Sequence, residues 1–149
     1  MIIALPIEVS TREFYSKLFC AYQIIKHTKH EVLIGKKSEV YSIFKNNKNI
    51  YLLSKGGSFA QFQFKKESLK DNFLGILDEE GPLINLTKSD FETRTDKRIL
   101  NNVNNYYCWG KQDYLLLKKK IEKSKLILSG HPKFDLCNKN YKKIFKKKV

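Results

Sequence analysis

Apolar residues occur in short runs along this 149-residue chain, and longer segments of mixed polarity separate the runs. Six runs are mostly apolar without strict alternation, which is typical of strands buried on both faces of a parallel sheet. They lie at residues 2–9, 30–36, 49–55, 73–77, 106–110 and 125–129. The intervening segments predict helices, and alternating strands and helices predict a doubly wound α/β domain. We therefore expect one Rossmann-like three-layer domain with a mostly parallel sheet of about six strands.

The segment after the first strand carries the clearest helix signal. Ser10 and Glu13 have the spacing of a capping box, which predicts a helix that begins at Ser10 and ends between Lys26 and Thr28. One stripe at helical spacing is expected to face the core: Phe14, Leu18, Ala21, Tyr22 and Ile25. Further helices are predicted at 38–46 (with Val40, Ile43 and Phe44 inward), at 59–70, once or twice within 87–103, and at 112–123.

The chain is strongly basic, with a formal net charge of +14. Such a charge favours nucleic acid, anionic lipid or an anionic substrate as a partner. Because only three of the basic residues are arginines, which suit bidentate phosphate and base recognition, nucleic acid is the less favoured of these partners. Six lysines lie in the last eleven residues, so we divide the chain into a domain at 1–136 and a basic tail at 137–149.

Composition also narrows the class of protein. The chain has no apolar run of 18 residues, so no membrane-spanning helix is predicted. Three widely spaced cysteines without a CxxC pair predict neither a disulfide framework nor a zinc site, and they fit a reducing cytosol. Glycine-rich phosphate-binding motifs are absent as well, so the sequence predicts no nucleotide site of those types.

Polar residues follow several predicted strands, where ligands collect in doubly wound sheets. We predict that these loops surround a shared crevice. The candidate substrate-binding residues are Glu8, Arg12 and Glu13 after the first strand, Lys55 after the third, Asp78 after the fourth, and Gly130 and Asp135 after the sixth.

The acidic triplet after the fourth strand contains the catalytic candidates, Glu79 and Glu80. A carboxylate at a strand end can act as a general base toward an acceptor hydroxyl. The triplet precedes Gly81 and Pro82, however, and the same pattern is ordinary turn chemistry. Two other candidates also have simpler interpretations. Glu13 completes the predicted capping box, and Arg12 is either a ligand for an anion at the helix N-terminus or a solvated surface residue.

Six segments together resemble the N-terminal half of the bacterial surface carbohydrate biosynthesis protein family, which is similar to GT-B-fold glycosyltransferases. The segments are LPIEVSTREF, HEVLIGKKSEVY, IYLLSKGGS, LDEEGPL, YYCWGKQ and SGHPKFDL, and together they span roughly residues 1 to 136. The last motif of the family is closer to GNPRFD, whereas this chain carries His131 and Lys133.

The resemblance implies a sugar-transfer reaction in surface polysaccharide biosynthesis, with this chain as the acceptor-side half. A carboxylate, Glu79 or Glu80, would be the base, and Arg12 and Lys55 would hold anionic groups of a glycan acceptor. This half would bind no cofactor, because the nucleotide-sugar donor is expected on a missing C-terminal domain or a separate chain. We therefore expect no activity from this half alone.

The implied location is the cytoplasm, with the lysine-rich tail predicting contact with the inner-membrane surface. Two alternatives from other classes remain open at this point. One is a basic nucleic-acid-binding module, and the other is a non-catalytic domain associated with the membrane surface.

Overall fold

The computed structural model describes residues 1–56, 66–83 and 86–141. Within them, six strands form one sheet in the order β2-β1-β3-β4-β5-β6, and every neighbouring pair is parallel. The strands are β1 (Ile2–Ile7), β2 (Glu31–Lys36), β3 (Ile50–Ser54), β4 (Phe73–Leu77), β5 (Asn105–Cys108) and β6 (Leu126–Leu128). The predicted Rossmann-like α/β class is confirmed, and all six predicted strands are present.

Helices connect the strands and cover both faces of the sheet. They are α1 (Ser10–His27), α2 (Lys37–Asn46), α3 (Lys88–Arg94), α4 (Lys97–Leu100), α5 (Lys111–Leu117) and α6 (Pro132–Leu136). Of the helix predicted at 59–70, residues 59–65 lie outside the described part of the chain, and Lys66–Leu69 forms a 3-10 turn. The short helix α6 was not predicted from the sequence.

Two hydrophobic clusters of different size lie on the two faces of the sheet. The larger cluster joins residues of α2, α4 and α5 to the strands, and includes the fully buried Phe44, Leu52 and Leu117. The smaller cluster lies under α1 and contains Ile3, Leu5, Ala21, Leu53 and Leu77. Val40 and Phe44 are buried as predicted, whereas Ile43 points to solvent.

Helix α1 has its apolar stripe on the outside, so the predicted inward face was wrong. Ala21 is buried, but Phe14, Leu18, Tyr22 and Ile25 are all exposed. The inward face carries Glu13, Ser16, Lys17 and Ala21. The helix is rotated this way because a backbone hydrogen bond holds Glu13 at the end of β1 and a buried ion pair, described below, holds Lys17 against Glu79.

The start of α1 also differs from the predicted capping box. Val9, rather than Ser10, is the N-cap, and no side chain caps the helix there. Instead, Glu13 Oε2 accepts a hydrogen bond from the backbone N–H of Glu8, at 2.9 Å. The Glu13 carboxylate therefore fastens the end of β1 to the first turn of α1.

Gly75 in β4 provides a test of the packing on the α1 face. The Tyr51 ring lies so close that a Cβ added at Gly75 would overlap it, and the Tyr51 hydroxyl is within 3.0 Å of Asn105 Oδ1 and 3.1 Å of Tyr107 Oη. Gly75→Ala is expected to lower the free energy of unfolding by about 1–3 kcal/mol because the ring must move. Chemical denaturation would measure the change. Gly35→Ala, also within a strand, is the matched control, since its nearest neighbour would be Val40 Cγ2 at an ordinary 3.4 Å. Equal losses in the two variants would contradict this account.

Candidate functional site

Three loops meet around Lys55 at the carboxyl edge of the sheet. The Lys55 ammonium contacts Glu8 Oε2 from the loop after β1, and lies 3.3 Å from Glu80 Oε1 in the loop after β4. The Lys55 carbonyl oxygen accepts the backbone N–H of Glu79, at 3.2 Å. This part of the carboxyl edge lies beside the topological switch point of the sheet. The strand order reverses there, because β2 and β3 lie on opposite sides of β1. The predicted convergence of these loops is therefore present.

The end of β1 and the first turn of α1 together carry three charged residues: Glu8 and Arg12 are partly exposed, and Glu13 is buried. Glu13 is fully buried and accepts hydrogen bonds from Arg12 Nη2 at 2.7 Å and from the Glu8 N–H. Arg12 and Glu8 themselves are partly exposed. The ammonium of Lys55, followed by that of Lys37 at 2.9 Å, holds the pKa of Glu8 below its usual value. Glu13 thus positions Arg12, while Glu8 stays ionised at the surface.

Asp78 shapes the turn after β4. Its Oδ1 accepts the N–H of Glu80 at 2.8 Å, and its Oδ2 accepts Arg94 Nε at 3.1 Å. Burial raises the pKa of Asp78, although the Arg94 guanidinium offsets part of that effect. Gly56 allows the carboxylate to pack here, since its φ is +92° and a Cβ would lie 2.8 Å from Asp78 Oδ2. Asp78 is therefore a structural residue of the turn.

Glu79 is buried between two lysines and a histidine. Its carboxylate lies 2.9 Å from Lys17 Nζ, 3.0 Å from Lys133 Nζ and 3.3 Å from His131 Nε2. The Lys17 and His131 nitrogens lie at ion-pair distances from the carboxylate but outside hydrogen-bond angles. Burial alone would raise the pKa of Glu79, but His131 and the charge of Lys17 outweigh it and lower the pKa.

The two catalytic candidates therefore have different environments. Glu79 has 1% of its side chain exposed, whereas Glu80 has 43% exposed and, among the residues that the structure describes, pairs with Lys55 alone. A general base must come within hydrogen-bond reach of the substrate proton. Only Glu80 of the two has that access, and the geometry favours it over Glu79.

The β6–α6 turn connects to the site through an aromatic contact. The imidazole of His131 caps α6 by accepting the N–H of Lys133 at its Nδ1, and its ring centre lies 4.4 Å from the Trp109 ring. Trp109 Nε1 donates to the Asp78 carbonyl oxygen at 2.6 Å, and Lys133 Nζ donates to the Glu79 carbonyl oxygen at 3.0 Å. This turn thus braces the loop that carries the three acidic residues.

Sequence reasoning did not assign five residues of this site: Lys17, Arg94, Trp109, His131 and Lys133. Lys17 could have been found from the sequence, because it lies four residues after Glu13 and four before Ala21 and therefore shares a helix face with both. The other four come from three segments, and none of these segments carries a local pattern that links it to Glu79 or Asp78. Only the folded chain brings them together.

Gly130 and Asp135 lie apart from the cluster that Lys55 forms with Glu8 and Glu80. They line a cavity of about 420 Å³ that is bounded by α1, α6 and several strands. Its other lining residues are mostly apolar: Met1, Ile3, Cys20, Ile24, Thr28, His30, Tyr51, Leu53, Leu77, Tyr107, Ser129 and Pro132. The backbone of Gly130 has a positive φ of 75°, which suits glycine at the end of β6. The predicted site residues thus divide between a charged edge and an apolar cavity.

Within residues 1–56, 66–83 and 86–141, no three His, Cys, Asp or Glu side chains are arranged to hold a metal ion. A search of the same residues for a helix with the length and apolar character to cross a bilayer found none. Comparisons with protein-family models, curated proteins and solved structures gave no match to this chain. The site's geometry and the sequence resemblance are therefore the basis for assigning a function.

Proposed function

We propose that this chain is the acceptor-side domain of a glycosyltransferase-like protein in bacterial surface polysaccharide biosynthesis. A second domain or a separate chain would hold the nucleotide-sugar donor. The observation that carries the proposal is the Lys55 contact with both Glu8 and Glu80, which gathers the loops after β1, β3 and β4 at one edge. Open α/β sheets bind their ligands at such an edge.

The proposed chemistry assigns the base role to Glu80. Its carboxylate takes the proton from an acceptor hydroxyl while that oxygen bonds to the anomeric carbon of the donor sugar. The bond from that carbon to the nucleotide phosphate breaks, and the nucleotide leaves with the electron pair. Arg12 offers a cation to an anionic group on the acceptor, and Lys55 supplies a second positive charge while orienting Glu8 and Glu80.

We place this reaction in the cytoplasm, at the inner-membrane surface. The support is compositional, since lysines make up six of the last eleven residues and lysines near anionic lipid contribute attraction of about 1 kcal/mol each. The acceptor in this proposal is a growing glycan at that surface.

A binding experiment on the chain alone tests the acceptor side of the proposal. In amide NMR titrations of the ¹⁵N-labelled protein, an oligosaccharide containing glucuronate is expected to shift the signals of Glu8, Arg12 and Glu80. UDP-glucose is expected to leave them unchanged, because the donor belongs to the other half. Arg12→Gln should weaken oligosaccharide binding about fivefold or more, the typical effect of losing a charge-assisted contact.

The matched control is Arg98→Gln, since Arg98 is also a partly exposed arginine that pairs with a nearby carboxylate, Asp96. That variant should bind like the original chain. Oligosaccharide shifts that avoid the carboxyl edge would contradict the proposal. A single-stranded oligonucleotide serves as a further probe: tight, strongly salt-dependent binding of it would support the nucleic-acid alternative instead.

A further inference from the structure

Helix α1 exposes apolar side chains and buries charged ones, the reverse of an ordinary surface helix. Its outer stripe consists of Phe14, Leu18, Tyr22 and Ile25, which are 42% to 61% exposed. On the opposite face, Glu13 and Lys17 are buried. This rotation leaves a row of large apolar residues facing water.

The outer stripe is continuous along most of the helix. Its members are spaced by four, four and three residues, so they share one side and extend over about 17 Å at about 1.5 Å per residue. Contiguous exposed apolar surface of this kind marks a site of contact with a protein or a membrane. The charges beside the stripe distinguish these two partners.

The exposed charged residues of α1 and of the turn that follows it are positive. Glu13 is the only acidic residue of α1 and it is buried, whereas Arg12, Lys26 and Lys29 are exposed at or near the two ends of the helix. The ammonium of Lys26 lies 5.7 Å from the centre of the Tyr22 ring, directly beside the stripe. An apolar stripe flanked by cations fits the interface of an anionic bilayer.

The residue that precedes the basic end of the sequence packs on the same helix. Tyr141, the last described residue, packs edge-on against Phe19 of α1 with ring centres 4.9 Å apart. The sequence that follows it is KKIFKKKV, which contains five lysines within eight residues. Its first lysine is therefore attached directly to a residue anchored on α1.

We propose that the outer stripe of α1 lies in the interface of a bilayer that contains anionic phospholipid, with the lysines after Tyr141 supplying a second attraction. Stable attachment at a membrane surface generally needs two such signals. A second copy of the chain is the weaker candidate for covering the stripe, because a symmetric α1–α1 contact would bring two chains of net charge +14 together. Because α1 begins at the carboxyl edge, this docking also sets the proposed acceptor site beside the lipid surface, a consequence that rests on the proposed function.

Vesicle sedimentation with the full chain tests the proposal. Vesicles of phosphatidylcholine with about 30% phosphatidylglycerol are compared with vesicles of phosphatidylcholine alone, and the chain is expected to partition to the anionic vesicles. Tyr22→Ser/Ile25→Ser should lower that partition coefficient about tenfold. The matched control is Phe73→Ser/Leu128→Ser, which removes two apolar residues of similar exposure (44% and 58%) from β4 and β6 and should leave partitioning within about twofold.

Circular dichroism of both variants verifies that they fold. Unchanged partitioning of the α1 variant would overturn the proposal, as would equal losses in the α1 variant and its control. Sedimentation velocity tests whether a second copy of the chain covers the stripe instead. If the unmodified chain and the control variant form a dimer and the α1 variant does not, the stripe would be assigned to a second copy. None of these measurements involves a sugar, so they can fail while the proposed sugar transfer stands, and sugar transfer can fail while the membrane contact stands.

Discussion

Glu79→Gln is expected to lower the free energy of unfolding by about 3–5 kcal/mol, because removing one member of a buried ionic group leaves its partners as uncompensated charges. Lys17 is the most affected partner, since it is as deeply buried as Glu79 and lies 2.9 Å from it. With 1% of the Lys17 side chain exposed, bulk solvent cannot replace the lost carboxylate. Urea unfolding of the variant and of the original chain, followed by circular dichroism, measures the difference.

Two comparisons identify the cause of that loss. Glu80→Gln removes the neighbouring, partly exposed carboxylate and should change stability by no more than about 1 kcal/mol. Lys17→Met/Glu79→Met replaces both buried charges with side chains of similar volume, and it should lose less than the sum of the two single changes. Additive losses in that double variant would contradict the account of a coupled pair.

The same account predicts how the effect of Glu79→Gln depends on pH. The fold lowers the pKa of Glu79 from its ordinary value of 4.5, so the stabilisation from its charge is fully present above that value. It is lost as the pH falls below 4.5 toward the folded-state pKa. The difference in stability between the original chain and Glu79→Gln should therefore shrink in acid, and a constant difference would contradict the ionic origin.

Glu80→Gln is expected to lower the rate of sugar transfer about a hundredfold or more in a reaction reconstituted with a donor-binding chain, if Glu80 is the general base of the proposed function. The amide cannot accept the proton of the acceptor hydroxyl. Because Glu80 is 43% exposed, the variant should keep its fold, so the loss would appear in kcat rather than in the amount of folded protein. Steady-state kinetics with a nucleotide-sugar donor is the measurement.

Glu8→Gln is the matched control for this experiment. Glu8 is also a partly exposed carboxylate that contacts Lys55, but it lies after β1 rather than at the end of β4. Its variant should retain transfer within about tenfold of the original rate. Comparable losses in the two variants would mean that the carboxylates act only by holding Lys55, and the assignment of the base would be withdrawn.

The positions of the strands were predictable from the sequence because a strand buried on both faces needs a short run of apolar residues, and that requirement is local. The residues of β4 (Phe73–Leu77) were predicted without error, and so was the placement of Lys55 and Glu80 at strand ends. In a parallel sheet those ends necessarily share one edge. The meeting of these loops around Lys55 therefore follows from the pattern of apolar runs, because that pattern predicts parallel strands.

The rotation of α1 about its axis was not predictable from the sequence, because two different faces of the helix can pack against the sheet. Phe14, Leu18, Tyr22 and Ile25 form an apolar stripe at the spacing of a core-facing helix, and periodicity alone places them inside. Buried contacts from Glu13 to the end of β1 and from Lys17 to Glu79 turn the other face inward. Those contacts join distant segments, so no local pattern reports them.

The difference in burial between Glu79 and Glu80 was also not predictable from the sequence. The sequence by itself determined that acidic residues follow β4 at the ligand-binding edge, since hydrophobic runs and their ends are properties of neighbouring residues. Only the tertiary structure decided which carboxylate is buried among cations and which one meets solvent. Burial and charge pairing depend on side chains supplied by α1 and by the β6–α6 turn, which are far away along the chain and adjacent only after folding.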